Sequence, residues 1–258
     1  KDWTKCVYNG PFAMTNLVED NSMTWVKNDQ YWDKDNVKLN QVNWYCVAEN
    51  ATAATMFDNG QLDVFDAAGD YIAKYDKEVE AGNMQTMTTE YPGTMVLCYE
   101  QSEGEKSGLM KNVNIRKAIS YSINREEMVS AVYGRYTAAY GFVSPAITLD
   151  GTSYRKQASE TMKKEYEQYA GDADKLKALF QKGLDELGIT DKPEDITITL
   201  LSQGSATENQ LEREYLQQSI SQNLGVKVEL NTVGDYQMFA NERDNKNYDI
   251  FVEIGRAH

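Results

Sequence analysis

The clearest hydrophobic pattern lies in Asn112–Gly134, NVNIRKAISYSINREEMVSAVYG. Ile115, Ala118, Ile119, Ser122 and Ile123 recur at i, i+3, i+4, i+7 and i+8, which predicts a helix with one face turned to a core. Asn124 interrupts it and, with Glu127 three residues on, has the form of a capping box. Met128, Val129 and Val132 carry a second stripe to Gly134, placed for a left-handed helix end. Further on, Asp172 caps a helix whose Leu176, Leu179, Phe180, Leu184 and Leu187 share one face and which closes at Gly188. Ile196, Ile198 and Leu200 alternate as a strand. Thr207 and Gln210 form a capping box for a helix carrying Leu211, Tyr215, Ile220 and Leu224. After Gly225, Val226, Val228 and Leu230 alternate again. Strand, helix and strand of this size predict a parallel pair with a right-handed crossover. Asp235–Asn241 reads as a short helix and Tyr248–Val252 as a further strand.

The first hundred residues are patterned as strands and short helices. Gly10-Pro11-Phe12 marks a turn feeding a strand, and the run continues towards Trp25. Val42, Trp44 and Cys46 alternate. Asn50–Asn59 predicts a helix ending at Gly60, then Gln61–Phe65 a short strand with Asp63 at its mouth bonding local backbone. The small residues that follow, Ala67, Ala68, Gly69 and Asp70, let a ligand's backbone approach closely, or form an ordinary strand-to-helix loop. Tyr71–Gly82 reads as helix, and Met84–Thr89 and Thr94–Tyr99 as strands separated by Tyr91-Pro92-Gly93. Gln101–Gly108 is the most loop-like stretch. It places a domain crossover near 97–108, with residues 1–97 in one α/β domain and 98–258 in another. Gln157–Tyr169 is polar and predicts a surface helix.

Composition narrows the chemistry. A formal charge of −14 over 258 residues excludes a basic nucleic-acid face and disfavours an anionic membrane surface. No apolar run approaches the roughly 18 residues of a membrane span. Cys6, Cys46 and Cys98 are three and far apart, so at least one thiol is free and disulfides do not anchor the fold. The only histidine is His258, which removes Ser–His and Cys–His nucleophilic sites and any His/Cys zinc spacing. Neither a Walker loop nor GxGxxG occurs. Forty acidic residues always offer pairs suited to glycoside hydrolysis, so such pairs mean nothing without geometry. No catalytic residue, metal or cofactor is expected.

In order along the chain, GPF, N-x-x-YW (Asn28–Trp32), GQLD (Gly60–Asp63), IRKAISYSINRE (Ile115–Glu126), FVSP (Phe142–Pro145) and YDI (Tyr248–Ile250) resemble the signature passages of the family 5 extracellular solute-binding proteins. These are the peptide-binding components of bacterial ABC importers. The resemblance runs from Gly10 to about Val252. It implies a periplasmic-binding-protein-like α/β fold of the type II, peptide-binding class, with two lobes of mixed sheets, present here incompletely. The implied function is to capture a peptide between the lobes by hinge closure and deliver it to ABC permease subunits, without chemistry on the ligand. A monomer is expected, outside the cytoplasm, cell-surface or periplasmic, with membrane contact only through a lipid anchor absent from this chain. Alternatives are a peptide-sensing receptor on the same fold, a nickel, haem or oligosaccharide ligand, or a carboxylate-based enzyme.

The resemblance also proposes site residues. Tyr236 aligns where peptide binders carry a Trp near the cleft, a position equally suited to packing on a sheet. Ala67–Asp70 and Thr94, Met95 and Val96 are further candidates. The family's segment after YDI, whose Asp binds the peptide α-amino group, has no counterpart here, and Asp249 is not that Asp. Where the family carries an Asn-rich strand end, this chain has Cys98-Tyr99-Glu100. The chain is accordingly expected to be part of a longer protein.

Overall fold

The computed structural model describes residues 2–102, 106–204 and 207–256. Two compact units, Lys1–Asp76 and Lys77–His258, divide the chain.

In the smaller unit, β1 (Phe12–Val18), β2 (Ser22–Lys27) and β3 (Gln41–Tyr45) form an antiparallel sheet in chain order. Asn28 fixes its entry. Its side-chain amide donates to the carbonyls of Gly10 (2.9 Å) and Tyr8 (3.3 Å), and its Oδ1 accepts from the Gln30 N–H (3.0 Å). The GPF and N-x-x-YW passages therefore meet as a hydrogen-bonded corner, while Trp32 is 83% exposed. Helices α1 (Asn50–Asp58) and α2 (Asp70–Glu80) follow, and the unit boundary falls within α2. The strand expected at Gln61–Phe65 does not form. The Phe65 ring instead packs against Phe57 and Tyr75, at centroid distances of 5.0 and 5.2 Å. An aromatic cluster stabilises this segment, whereas a short strand without a partner edge stabilises nothing. Asp63 is exposed on the resulting loop.

In the larger unit, β4 (Gly93–Tyr99) is an edge strand; the expected strand at Met84–Thr89 is exposed irregular chain instead, lacking a neighbour to pair with. Helices α3 (Val113–Ser122) and α4 (Arg125–Met128) come next, and α4 continues as one π turn, Val129–Tyr133. Gly134, at φ +68°, closes that turn by donating its N–H to the Val129 carbonyl. Asn112 caps α3 by accepting from the N–H groups of Asn114 and Ile115, and Asn124 caps α4 by accepting from Glu127 N–H. A two-residue hairpin, β5 (Thr148–Leu149) with β6 (Thr152–Ser153), leads to α5 (Tyr154–Gln157) and α6 (Thr161–Tyr166). The expected surface helix is thus two short ones. Tyr166 is buried, under the Arg125 guanidinium and beside Tyr121.

Then come α7 (Ala173–Leu187), β7 (Thr197–Gln203), α8 (Thr207–Leu224), β8 (Lys227–Val233), α9 (Tyr236–Asp244) and β9 (Ile250–Arg256). Asp172 caps α7 and left-handed Gly188 ends it. The Thr207 side chain, half of the expected capping box on α8, lies outside the described residues. Sheet order is β4-β9-β7-β8. β7 is parallel to β8 and to β9, and β4 is antiparallel to β9. Successive residues of a strand face opposite sides. Leu200 and Ile250 accordingly join the core with α3, α7 and α8, and Leu201 and Phe251 join a smaller cluster with Phe239 of α9. A strand covered on both faces reads as a near-continuous apolar run, and in β7 the buried stretch ITLL is broken only by Thr199.

Several residues of the ordered motifs are buried hydrogen-bond junctions. Ser144 of FVSP donates to the Tyr91 carbonyl at 2.7 Å and accepts from Ala146 N–H. Asp249 of YDI sits just before β9. Its carboxylate accepts from Thr199 N–H (2.7 Å) and from the Ser107 hydroxyl, and its carbonyl accepts from Glu100 N–H (2.9 Å). Asp249 therefore joins β7, the end of β4 and the following loop. The three cysteines are free thiols.

Candidate functional site

Because β7, β8 and β9 run parallel, their carboxyl ends share one edge of the sheet, and the start of antiparallel β4 joins them there. In open α/β sheets this edge is where loops leave the strands and ligands bind. A groove of about 320 Å³ opens there at the end of β7. Met95, Leu201, Leu216, Tyr236, Phe239 and Val252 supply its apolar wall. Ser202, Gln203, Asn209, Glu212 and Arg213 bring polar groups.

Local sequence builds the rim. Gly204 adopts φ +78°, and a Cβ there would lie 2.6 Å from Asn209 Nδ2, so the chain leaving β7 needs glycine. Gly204 N–H donates to the Val233 carbonyl (3.0 Å), and its own carbonyl accepts from Arg213 Nη1 (3.1 Å). Tyr236 is the first residue of α9, whose N-terminus Asp235 caps through Met238 N–H (2.8 Å). The Tyr236 ring stacks on Phe239 at 6.3 Å and is 61% exposed. On the α8 side the Glu212 carboxylate accepts from the Tyr133 hydroxyl, and Tyr133 stacks on Tyr136 at 4.8 Å. Burial pushes the Glu212 carboxyl above the usual carboxylate range, although the Tyr133 hydroxyl acts in the opposite sense; burial also raises Glu208 and the Tyr133 phenol.

The structure brings two of the expected site residues, Met95 and Tyr236, into the lining of one groove. Thr94 and Val96 lie on β4 beside Met95 but outside the lining. Ala67, Ala68, Gly69 and Asp70 belong to the smaller unit. There Asn50 holds the loop by donating to the Asp66 carbonyl (2.9 Å) and accepting from Ala68 N–H (3.3 Å). Sequence reasoning missed Gln203, Asn209, Glu212 and Arg213. Their only signal was position, just past a predicted strand and in the first turns of the next helix.

Residues 1–255 match the model of the family described as "Bacterial extracellular solute-binding proteins, family 5 Middle". The chain belongs to this family. Among the relatives it matches, the dipeptide-binding protein DppE of Bacillus subtilis is 31% identical over 226 residues, covering 87% of this chain and 38% of the relative. The oligopeptide-binding protein OppA of the same organism is 31% identical over 252 residues, covering 95% and 42%. The solved structure of Listeria monocytogenes OppA bound to peptide superposes with a TM-score of 0.72 at 25% identity, over 96% of this chain and 47% of that one. The fold is therefore the periplasmic-binding-protein type of the peptide binders, and the chain spans less than half the length of each. Among its described residues no group of three His, Cys, Asp or Glu side chains is placed to hold a metal ion, and no helix is long and apolar enough to cross a membrane.

Proposed function

We propose that the protein carrying this chain is the peptide-capturing component of an ABC importer, working outside the cytoplasm and making or breaking no bond in its ligand. The observation that carries the reading is the groove at the carboxyl ends of β7–β9, with Tyr236 and Met95 in its lining. Its place and apolar-plus-polar lining suit a peptide side chain. The relatives' names, dipeptide-binding and oligopeptide-binding, supply the ligand class. Thr94 and Val96 on the edge strand and Ala67–Asp70 are further ligand-facing positions in this reading. ABC permease subunits are the partners, and a lipid anchor on a monomer holds the protein at the membrane.

Calorimetry of the full-length protein with short peptides tests the reading. Tyr236→Ala should weaken peptide affinity about tenfold, the loss expected for one exposed aromatic contact. Its half-exposed ring contributes little to the core, so the melting temperature should stay the same. Unchanged affinity in the folded variant would reject the assignment of Tyr236.

A further inference from the structure

Resting on that reading of the groove, we infer that it takes a lysine or arginine side chain of the peptide, and that Glu212 selects the cation. The groove is at the small end of ligand pockets, about 320 Å³, which suits one long side chain rather than a whole peptide. Its apolar wall, with Met95, Leu216 and Tyr236, offers contact to a methylene stem, and Glu212 is among the polar groups of the same lining. Long basic side chains divide themselves in this way, with the stem on apolar surface and the charge at a polar group.

The carboxylate is prepared for such a partner. Its hydrogen-bond partner is the neutral Tyr133 hydroxyl. The adjacent cation, Arg213, directs Nη1 to the Gly204 carbonyl. Burial disfavours the charged form and is the first cause of the raised Glu212 pKa, outweighing the Tyr133 hydroxyl and the Arg213 charge that act in the opposite sense. An incoming ammonium or guanidinium relieves that cost through a charge-assisted hydrogen bond. An uncharged side chain of the same length buries Glu212 further and gives nothing back. An acidic one meets Glu212 and Glu253, both in the lining.

The test uses the full-length protein and alanine pentapeptides in which each position in turn is lysine, norleucine or glutamate. At one position lysine should bind tenfold or more tighter than norleucine, and glutamate weakest, the range of a hydrogen bond to a charged group. Glu212→Gln keeps the shape and an acceptor for Tyr133, and should bring the lysine-to-norleucine ratio to about one. Should that variant not fold, Glu212→Asp withdraws the charge by one methylene and should cut the ratio several-fold. Equal affinities for the three peptides, a preference for glutamate, or a ratio untouched by either variant would overturn the inference while leaving peptide binding intact. If no peptide of the set binds at all, the proposed function itself fails.

Discussion

Gly183 lies in the middle of α7, where glycine costs a helix about 1 kcal/mol relative to alanine. Propensity alone therefore makes Gly183→Ala stabilising. The packing says the reverse. A Cβ at 183 would lie 2.5 Å from Ile115 Cγ1, 2.9 Å from Asn112 Oδ1 and 3.1 Å from Ile115 N. Ile115 is fully buried and cannot swing away, and Asn112 Oδ1 is the acceptor that caps α3. Asn112 and Asn114 are also held from α7, each donating to Glu186 Oε2 at 2.8 Å. Overpacking costs about 1–3 kcal/mol and a displaced cap about 1 kcal/mol, against about 1 kcal/mol of propensity gained. The net expectation is a loss of about 1–3 kcal/mol, read as a lower urea midpoint at unchanged m-value. Ile115→Ala removes the nearest clashing atom, so a double-mutant cycle should return a coupling of at least about 1 kcal/mol, with Gly183→Ala near neutral in that background. A stabilised single variant, or additive effects, would show that α3 and α7 are not in the close contact described.

Two further outcomes follow from buried polar groups. Asp249→Ala strips Thr199 N–H and the Ser107 hydroxyl of their acceptor inside the core and should cost about 2–4 kcal/mol, whereas Asn can accept from Thr199 and donate to Ser107 and should cost about 1 kcal/mol; equal denaturant midpoints for the two variants would contradict the junction. Glu212 has a raised folded-state pKa, so its contribution to stability is complete below the unfolded value of about 4.3 and is lost as pH rises through the folded value. Glu212→Gln removes that titration, and its melting temperature relative to the parent should climb between pH 4 and pH 8; a pH-independent difference would mean that burial does not shift the group.

Most of the fold was legible because its long elements repeat one simple signal. The stripe Ile115, Ala118, Ile119, Ser122 and Ile123 is buried as patterned, Asp172 and Asn124 cap where expected, and β7 and β8 pair in parallel. Periodicity failed at Gln61–Phe65 and Met84–Thr89, because a short alternating run becomes a strand only if another strand offers it an edge. The ordered motifs were informative for a reason the sequence did not display. Asn28, Ser144 and Asp249 each tie segments far apart in the chain, so what they specify is the scaffold of the family and not its ligand.

The sequence by itself determined the long patterned elements and the family resemblance, since these rest on local pattern and on which residue types are present. Only the tertiary structure decided which of those elements share an edge. Met95, Gln203, Glu212 and Tyr236 come from four separate segments, and nothing local links them. The parallel order of β7, β8 and β9 sends their carboxyl ends to one side, and that shared edge assembles the groove. The same holds for the charge of Glu212: its residue type was evident from the start, but burial and the Tyr133 hydroxyl are properties of the packed chain.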